Sequence, residues 1–188
     1  MGVSATHLQA ARLVIAGLFA ALLGACTQVP VQDPAVSEPT YDAAEIVRAI
    51  RASGAATPTE LDVQPLRNSE VEDLRQLATQ HERSGRLQDA AAALDQVLQI
   101  VPDDAAVLQE RSEIALLLRD AAGAERFARA ASRKGTQVGP LCRRHHEALA
   151  RLADLRARGM PADPAHARAA LDARARRDAC TVAAPPRY

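Results

Sequence analysis

The sequence predicts an all-α protein, and three observations lead to that prediction. Alanine, the strongest helix former, supplies much of the 48% of residues that are hydrophobic. Residues typical of strands are sparse, and the 188-residue chain has only two Tyr, two Phe and no Trp. Apolar side chains recur at helical spacing in several segments, which Gly, Pro or capping residues separate. Because alanine buries little area per residue, we expect thin helices that pack closely.

Composition also excludes several classes of function. The length allows one domain or two small ones. The 23 basic and 23 acidic residues balance, which argues against a nucleic-acid binder that works by bulk charge. Aromatic residues make up 2% of the chain, too few for stacking-based recognition of bases or sugars. No catalytic GxSxG, P-loop or HExxH motif occurs. We therefore expect no enzyme, no cofactor, no small-molecule substrate and no nucleic-acid partner.

The N-terminal segment has the pattern of a targeting signal. Residues 1–26 carry no acidic residue, and Arg12 precedes an apolar run over 13–22 that is shorter than the roughly 20 residues a membrane span needs. The run is followed by Leu23-Gly24-Ala25-Cys26, which resembles the lipobox of bacterial lipoproteins. The resemblance implies a signal peptide over 1–25, cleavage before Cys26, and lipid on its thiol and new amino group. An uncleaved signal anchor and an ordinary secretory peptide are the alternatives.

The same resemblance implies a location. Thr27, rather than Asp, follows the lipidated cysteine, which in this family favours the outer membrane over inner-membrane retention. Residues 26–40 contain three prolines, which favour extended chain, and at about 3.1 Å per residue they could reach roughly 40 Å. We expect a lipid-anchored domain on the periplasmic face of the outer membrane, held off the bilayer by this tether.

Residues 41–68 combine a short helix with a loop. The helix is predicted over 42–53 and ends at Gly54. Its apolar face comprises Ile46, Val47 and Ile50.

Residues 69–135 contain a helix-turn-helix pattern with a 34-residue period. It opens on a capping box over 69–72, in which Ser69 and Glu72 satisfy free amides of the first turn. The pattern resembles the tetratricopeptide repeat at seven positions: Leu77, Ala78, Gly85, Ala90, Leu94, Val97 and Pro102. A fainter copy aligns Ala124 with Ala90 but places Arg111 where Leu77 stands.

The resemblance carries expectations about binding. Leu74 and His81 occupy positions where the family often has aromatic residues, so this repeat should pack less tightly than most. Stacked pairs form a concave groove, which in the family usually holds a peptide or protein segment. Gln76, Gln80 and Arg111 are the candidate groove residues. The helix at 42–53 and the C-terminal helices are expected to cap the stack, and an ordinary antiparallel bundle is the alternative.

Residues 136–181 predict a helical hairpin, followed by a tail over 182–188. Its helices run from about Cys142 to Arg158 and from Pro164 to about Ala179. Antiparallel pairing brings Cys142 beside Cys180, and the periplasm is oxidising, so we predict a disulfide worth about 4 kcal/mol. Two free thiols or a metal pair are the alternatives. The adjacent His145 and His146 point about 100° apart on a helix, so no metal site is expected.

Charge is distributed unevenly along the chain. Residues 133–188 carry twelve basic and five acidic residues, a difference of +7, whereas residues 27–132 carry ten and eighteen, a difference of −8. The basic half is either a docking patch for an anionic partner or a solvated face that pairs with the acidic half.

The sequence therefore predicts a non-catalytic, periplasm-facing lipoprotein that acts as an adaptor or scaffold for another envelope protein or peptide segment. One alternative is a structural lipoprotein that binds peptidoglycan or anionic lipid through its C-terminal arginines: Arg168, Arg174, Arg176 and Arg177. A third possibility is a folding factor that binds unfolded peptides weakly.

Overall fold

The computed structural model describes residues 40–55, 68–159 and 163–181, and their regular structure is entirely helical. The prediction of an all-α fold is confirmed for these residues. The helices are α1 (Ala43–Ser53), α2 (Ser69–Arg83), α3 (Leu87–Ile100), α4 (Ala105–Leu117), α5 (Ala121–Lys134), α6 (Gly139–Ala157) and α7 (Pro164–Ala179). The predicted signal peptide, residues 26–39 of the predicted tether and the tail over 182–188 lie outside the described residues.

Most of the helices begin at an N-cap residue whose short side chain accepts a hydrogen bond from a first-turn amide. Asp carboxylates accept hydrogen bonds from first-turn amides of α1, α4, α5 and α7, at 2.7–3.0 Å; the residues are Asp42, Asp104, Asp120 and Asp163. The predicted capping box at Ser69 is displaced by one residue, because Asn68 is the cap and accepts from the Val71 amide at 2.8 Å. The α6 helix also begins earlier than predicted, at Gly139, with Pro140 in its first turn.

The helices α2 to α7 form three consecutive pairs, α2–α3, α4–α5 and α6–α7, and α3–α4 and α5–α6 contacts join one pair to the next. Gly85 makes the turn of the first pair with a φ of +72°, a conformation that favours glycine. Small residues allow the helices of a pair to approach closely. Ala78 and Ala90 are buried in the first pair, and the Ser112 hydroxyl donates to the Ala124 carbonyl at 2.8 Å in the second.

Two apolar clusters support this arrangement. The first lies within the α2–α3 pair and reaches α4; it includes Val71, Ala78, Ala90, Leu94, Val97 and Ile114. The second joins α1 to the later pairs; it includes Val47, Ile50, Leu116, Ala148 and Leu152. None of the helices in the described parts of the chain has the length and hydropathy needed to cross a bilayer.

The position of α1 differs from the prediction. The segment 42–53 was expected to cap the stack, but α1 packs across α4 and α6, the first helices of the second and third pairs. It meets the first pair through an ion pair between Arg51 and Glu82. The physical reason is that Val47 and Ile50 need an apolar surface, and α4 and α6 together provide one.

The packing role expected of Leu77 is also wrong. Its side chain lies on the exposed side of α2 and is 41% exposed, although its neighbour Ala78 is 4% exposed. The α2 helix packs mainly against its own partner α3, so its outer side has no neighbouring pair within the described residues. Pro102 is exposed just beyond α3.

Candidate protein-binding site

The groove between α4 and α6, which we call the inner groove, is occupied by α1. Val47 is 3% exposed and Ile50 is 0% exposed, and both belong to the cluster that includes Leu116 and Leu152. At about 25 cal/mol per Å2 of apolar area, burying two such side chains stabilises the packing by about 3–6 kcal/mol. The inner groove is therefore filled by the chain's own helix.

A buried carboxylate fixes the position of α1 in the inner groove. The Glu113 side chain on α4 is 0% exposed and accepts from Arg51 Nε at 2.7 Å. Arg144 of α6 donates two further hydrogen bonds to it, each 2.6 Å long. Burial alone would raise the pKa of Glu113, but the hydrogen bonds and charges of the two guanidiniums outweigh burial and hold that pKa below its usual range. One ionised carboxylate thus joins α1, α4 and α6.

A polar chain extends from Glu113 to a buried histidine. Gln109 Nε2 donates to Glu113 at 3.0 Å, and Gln109 Oε1 lies 2.8 Å from His145 Nδ1. Because Gln109 presents its oxygen, Nδ1 carries the proton, and the buried Nε2 has no hydrogen-bond partner within the described residues. Burial, followed by the charges of Arg144 and His146, lowers the pKa of His145 to about 4. Gly135 is required beside this ring, since a Cβ there would lie 2.6 Å from Nε2.

Both ends of α1 are tied to the helices beneath it. Arg143 of α6 donates to the carbonyls of Ser53 and Ala55, at 3.0 and 2.9 Å, where α1 ends. Arg119, just after α4, donates to the Tyr41 carbonyl and lies 4.7 Å from the centre of the Tyr41 ring. These contacts explain why a helix of only 11 residues keeps a defined position.

The predicted groove residues do not converge. Gln76 and Gln80 flank Leu77 on the exposed side of α2, away from the inner groove. Arg111 is half-buried between the first two pairs, where it donates to Asp95 at 2.7 Å and lies over the Phe127 ring. Arg111 is thus committed to packing, whereas the glutamines and Leu77 form a surface that we call the α2 face.

The C-terminal arginines divide into two groups. Arg174 pairs with Asp154, and Arg177 pairs with Glu147 at 2.6 Å. Arg168 and Arg176 are exposed, and the described residues offer neither of them an ion-pair partner. The four side chains therefore do not form one basic patch, because part of the basic surplus is neutralised within the hairpin itself.

The predicted disulfide between Cys142 and Cys180 is present, with the Cα atoms 5.8 Å apart and both residues at least 98% buried. Gly139 donates its amide to the Cys180 carbonyl at 2.8 Å, which further ties the start of α6 to the end of α7. His146 offers a ring nitrogen within 4.8 Å of both sulfurs. The intact disulfide occupies those sulfurs, so the three residues do not form a metal centre in this state.

Sequence reasoning missed the residues at the centre of the inner groove, Gln109, Glu113 and His145. Glu and Gln are usually exposed, and nothing in the local pattern around α4 marks these two as buried. Their partners also lie far away in sequence, since Glu113 is 62 residues from Arg51 and 31 from Arg144. The opposite charges on separate helices were the only available signal, and they do not specify a pairing.

Comparison with protein families supports the repeat interpretation over part of the chain. Residues 71–114 match the family model described as tetratricopeptide repeat, a stretch that contains most of α2, all of α3 and most of α4. The comparison with curated proteins finds no match. Repeats of this family generally mediate protein–protein interactions, which is consistent with a protein partner.

Proposed function

We propose that this protein is a non-catalytic adaptor, anchored by lipid on Cys26 to the periplasmic face of the outer membrane, which holds another envelope protein. The observation that carries the proposal is the α2 face. In the repeat pair that matches the family model, Leu77 is 41% exposed between the polar residues Gln76 and Gln80. Because this side of the repeat helix has no neighbouring pair within the described residues, the side chain is available for a partner to cover.

The architecture explains why the partner would use the α2 face rather than the inner groove. Repeat units stabilise one another by covering the exposed side of the next unit. The inner groove is covered by α1, and the α4–α5 and α6–α7 pairs cover each other. Within the described residues, α2 and α7 are the end helices that lack a neighbouring pair, and of these only α2 lies in the stretch that matches the family model.

The anchor and tether would supply position and reach. Cys26 follows the lipobox-like Leu23-Gly24-Ala25, and residues 26–40 lead directly into α1. Because α1 is fixed by Glu113 and Arg143, the tether joins the domain at a rigid point. The start of α1 would therefore stay within roughly 40 Å of the membrane, and the domain would carry the α2 face with it.

The alternative of wall or lipid binding through the arginines has less support. Arg174 and Arg177 pair with Asp154 and Glu147, so two of its four side chains are already neutralised. Surface charge that is paired within a fold contributes little to the attraction of an anionic surface.

In-cell crosslinking tests the adaptor function. A photo-crosslinking amino acid would replace Leu77, and the matched control would carry it at Ala92, which is exposed on α3. Both variants would be compared in the native chain and with Cys26→Ser. We expect one dominant protein crosslinked from position 77, absent from position 92 and reduced by Cys26→Ser. Identical products at both positions, or only wall fragments and lipid, would contradict the proposal.

A further inference from the structure

A cleft on the side of α6 opposite α1 has no role in the adaptor function. The helices α5 and α7 both pack on α6, and two adjoining cavities lie between them, of about 480 and 220 Å3. Both cavities are lined by His146 of α6 and Arg176 of α7. We call this feature the outer cleft.

The larger cavity is positively charged. Its lining includes Arg133 and Arg176, and none of the described residues that line it is a carboxylate. Neighbouring cations are paired, since Lys134 binds Asp103 at 2.8 Å and Arg177 binds Glu147 at 2.6 Å. Arg133 and Arg176 are left without an ion-pair partner by the described residues. Each lies in the last turn of its helix, where a cation interacts favourably with the helix dipole. That interaction does not require both arginines to line the same cavity.

A buried polar group lies at the junction of the two cavities. His146 is 7% exposed, and its Nδ1 atom has no hydrogen-bond partner in the described structure. Burial, followed by the charge of Arg176, lowers the pKa of His146, so the ring is neutral at neutral pH and can donate one N–H. The imidazole lines both cavities, and a neutral ring can present one N–H to a ligand there.

The smaller cavity has a different character. Of the ten described residues that line it, four are small or aliphatic: Leu149, Ala153, Ala169 and Ala173. Glu125 and Asp172 also line it, and Glu125 is ion-paired with Arg129. Asp172 has no ion-pair partner among the described residues and disfavours an anion at this end, so the negative group of a ligand is directed towards the larger cavity.

From these features we infer that the outer cleft binds a free carboxylate carried by a short aliphatic body, such as the C-terminal carboxylate of a peptide that ends in small residues. Arg133 and Arg176 hold the carboxylate through charge-assisted hydrogen bonds, His146 donates a further one, and the alanine-lined cavity receives the adjacent side chains. A phosphate group matches the arginines but gains nothing from the aliphatic cavity.

Calorimetric titration of the detergent-purified full chain, with its disulfide intact, tests the inference. The probes are N-acetyl-Ala-Ala-Ala with a free carboxylate, the same peptide with a C-terminal amide, and inorganic phosphate. Arg176→Gln and Arg133→Gln remove the proposed contacts. Arg168→Gln is the matched control, because Arg168 is exposed and unpaired within the described residues but does not line either cavity.

We expect the carboxylate peptide to bind, and the amide or either cleft substitution to weaken binding about tenfold, the usual size of one lost charge-assisted contact. Arg168→Gln should leave the affinity within about twofold. Equal binding of the amide, tighter binding of phosphate, or an equal loss in Arg168→Gln would overturn the inference. Binding seen only in a chain that ends at Thr181 would also overturn it and identify residues 182–188 as the occupant. Because this assay needs no envelope partner, its failure would leave the adaptor function untouched.

Discussion

Arg144 donates two hydrogen bonds of 2.6 Å to the carboxylate of Glu113, and through this contact α6 is joined to α4 beneath α1. The same carboxylate binds Arg51 of α1 at 2.7 Å. A charge that is removed from water in this way depends on both guanidiniums, because a neutral hydrogen bond from Gln109 alone would not compensate for its lost hydration. The ion cluster is therefore a specific constraint on where α1 packs, in addition to the apolar contacts of Val47 and Ile50.

Replacing the buried carboxylate should destabilise the fold strongly. Glu113→Gln keeps the side-chain volume but leaves two guanidiniums facing an uncharged group, and we expect a loss of about 3 kcal/mol in the free energy of unfolding. Glu110→Gln, one turn earlier on α4, removes a partly exposed ion pair with Arg75 and should cost less than about 1 kcal/mol. Urea denaturation of both variants measures the difference, and equal losses would contradict the buried-cluster interpretation.

Stability should fall as the pH decreases from 7 to 5, because of His145. Its folded pKa is about 4, below the ordinary value of 6.5, so across that window the unfolded chain binds more protons than the folded one. Each pH unit within the window corresponds to about 1.36 kcal/mol, so this group alone removes about 2 kcal/mol between pH 7 and 5. Urea titrations at several pH values provide the measurement.

Two histidine variants make the pH test specific. His145→Asn retains a donor for Gln109 and should remove the larger part of the dependence between pH 7 and 5, while the lowered pKa of His146 supplies a smaller part. His166→Asn is the matched control, because its side chain is 36% exposed on α7, and it should leave the slope unchanged. A slope that survives His145→Asn undiminished would show that another group controls the acid sensitivity.

The sequence predicted the helices well because their signals are local. The helix predicted over 42–53 begins within one residue of that range, with Asp42 as its cap, and Gly85 lies at the turn of the first pair. An apolar face such as that of Val47 and Ile50 also shows that a helix must pack, but it does not specify the surface that receives it. For that reason α1 was expected at the end of the stack, whereas it lies across α4 and α6.

The candidate site was less predictable for the same reason. Two cysteines at the ends of one hairpin leave few ways to pair, so the disulfide could be predicted. Glu113 could be paired only by knowing which helices meet, since Arg51 and Arg144 are far from it in sequence. The sequence did not indicate that Leu77 is exposed. Its exposure follows from the absence of a neighbouring pair beside α2, and the residues of α2 carry no signal of that absence.

Small residues at the crossing of α2 and α3 should not tolerate enlargement. Ala90 is 0% exposed, so Ala90→Leu inserts three heavy atoms into a packed contact and should cost about 1–3 kcal/mol. Ala92→Leu is the matched control, since Ala92 is exposed two residues along α3, and it should change stability by less than about 0.5 kcal/mol. Thermal and urea unfolding measure both, and a harmless Ala90→Leu would exclude close packing at this crossing.

The lipid anchor predicts a change of mass and of location. If Cys26 is lipidated, the mature chain begins there and carries acyl chains, and intact-protein mass spectrometry of the membrane fraction should show both features. Cys26→Ser should remove the added mass and release the protein from the outer-membrane fraction, because each buried CH2 contributes about 0.8 kcal/mol to membrane binding. Cys142→Ser is the control for loss of a different cysteine; it breaks the disulfide with Cys180 and should leave the mass of the anchor unchanged.

Reduction of the disulfide should loosen α7 before the rest of the fold. This helix packs mainly on α6, buries only Ala170 and Ala173 among its own residues, and leaves Leu171 65% exposed, so its apolar contacts are few. The bond closes a loop between positions 38 residues apart, and its loss should cost about 4 kcal/mol in the chain-entropy model. Hydrogen exchange of the reduced chain should show α7 amides losing protection while those of α3 and α4 keep theirs. A uniform loss across all the helices would show instead that the disulfide supports the whole domain cooperatively.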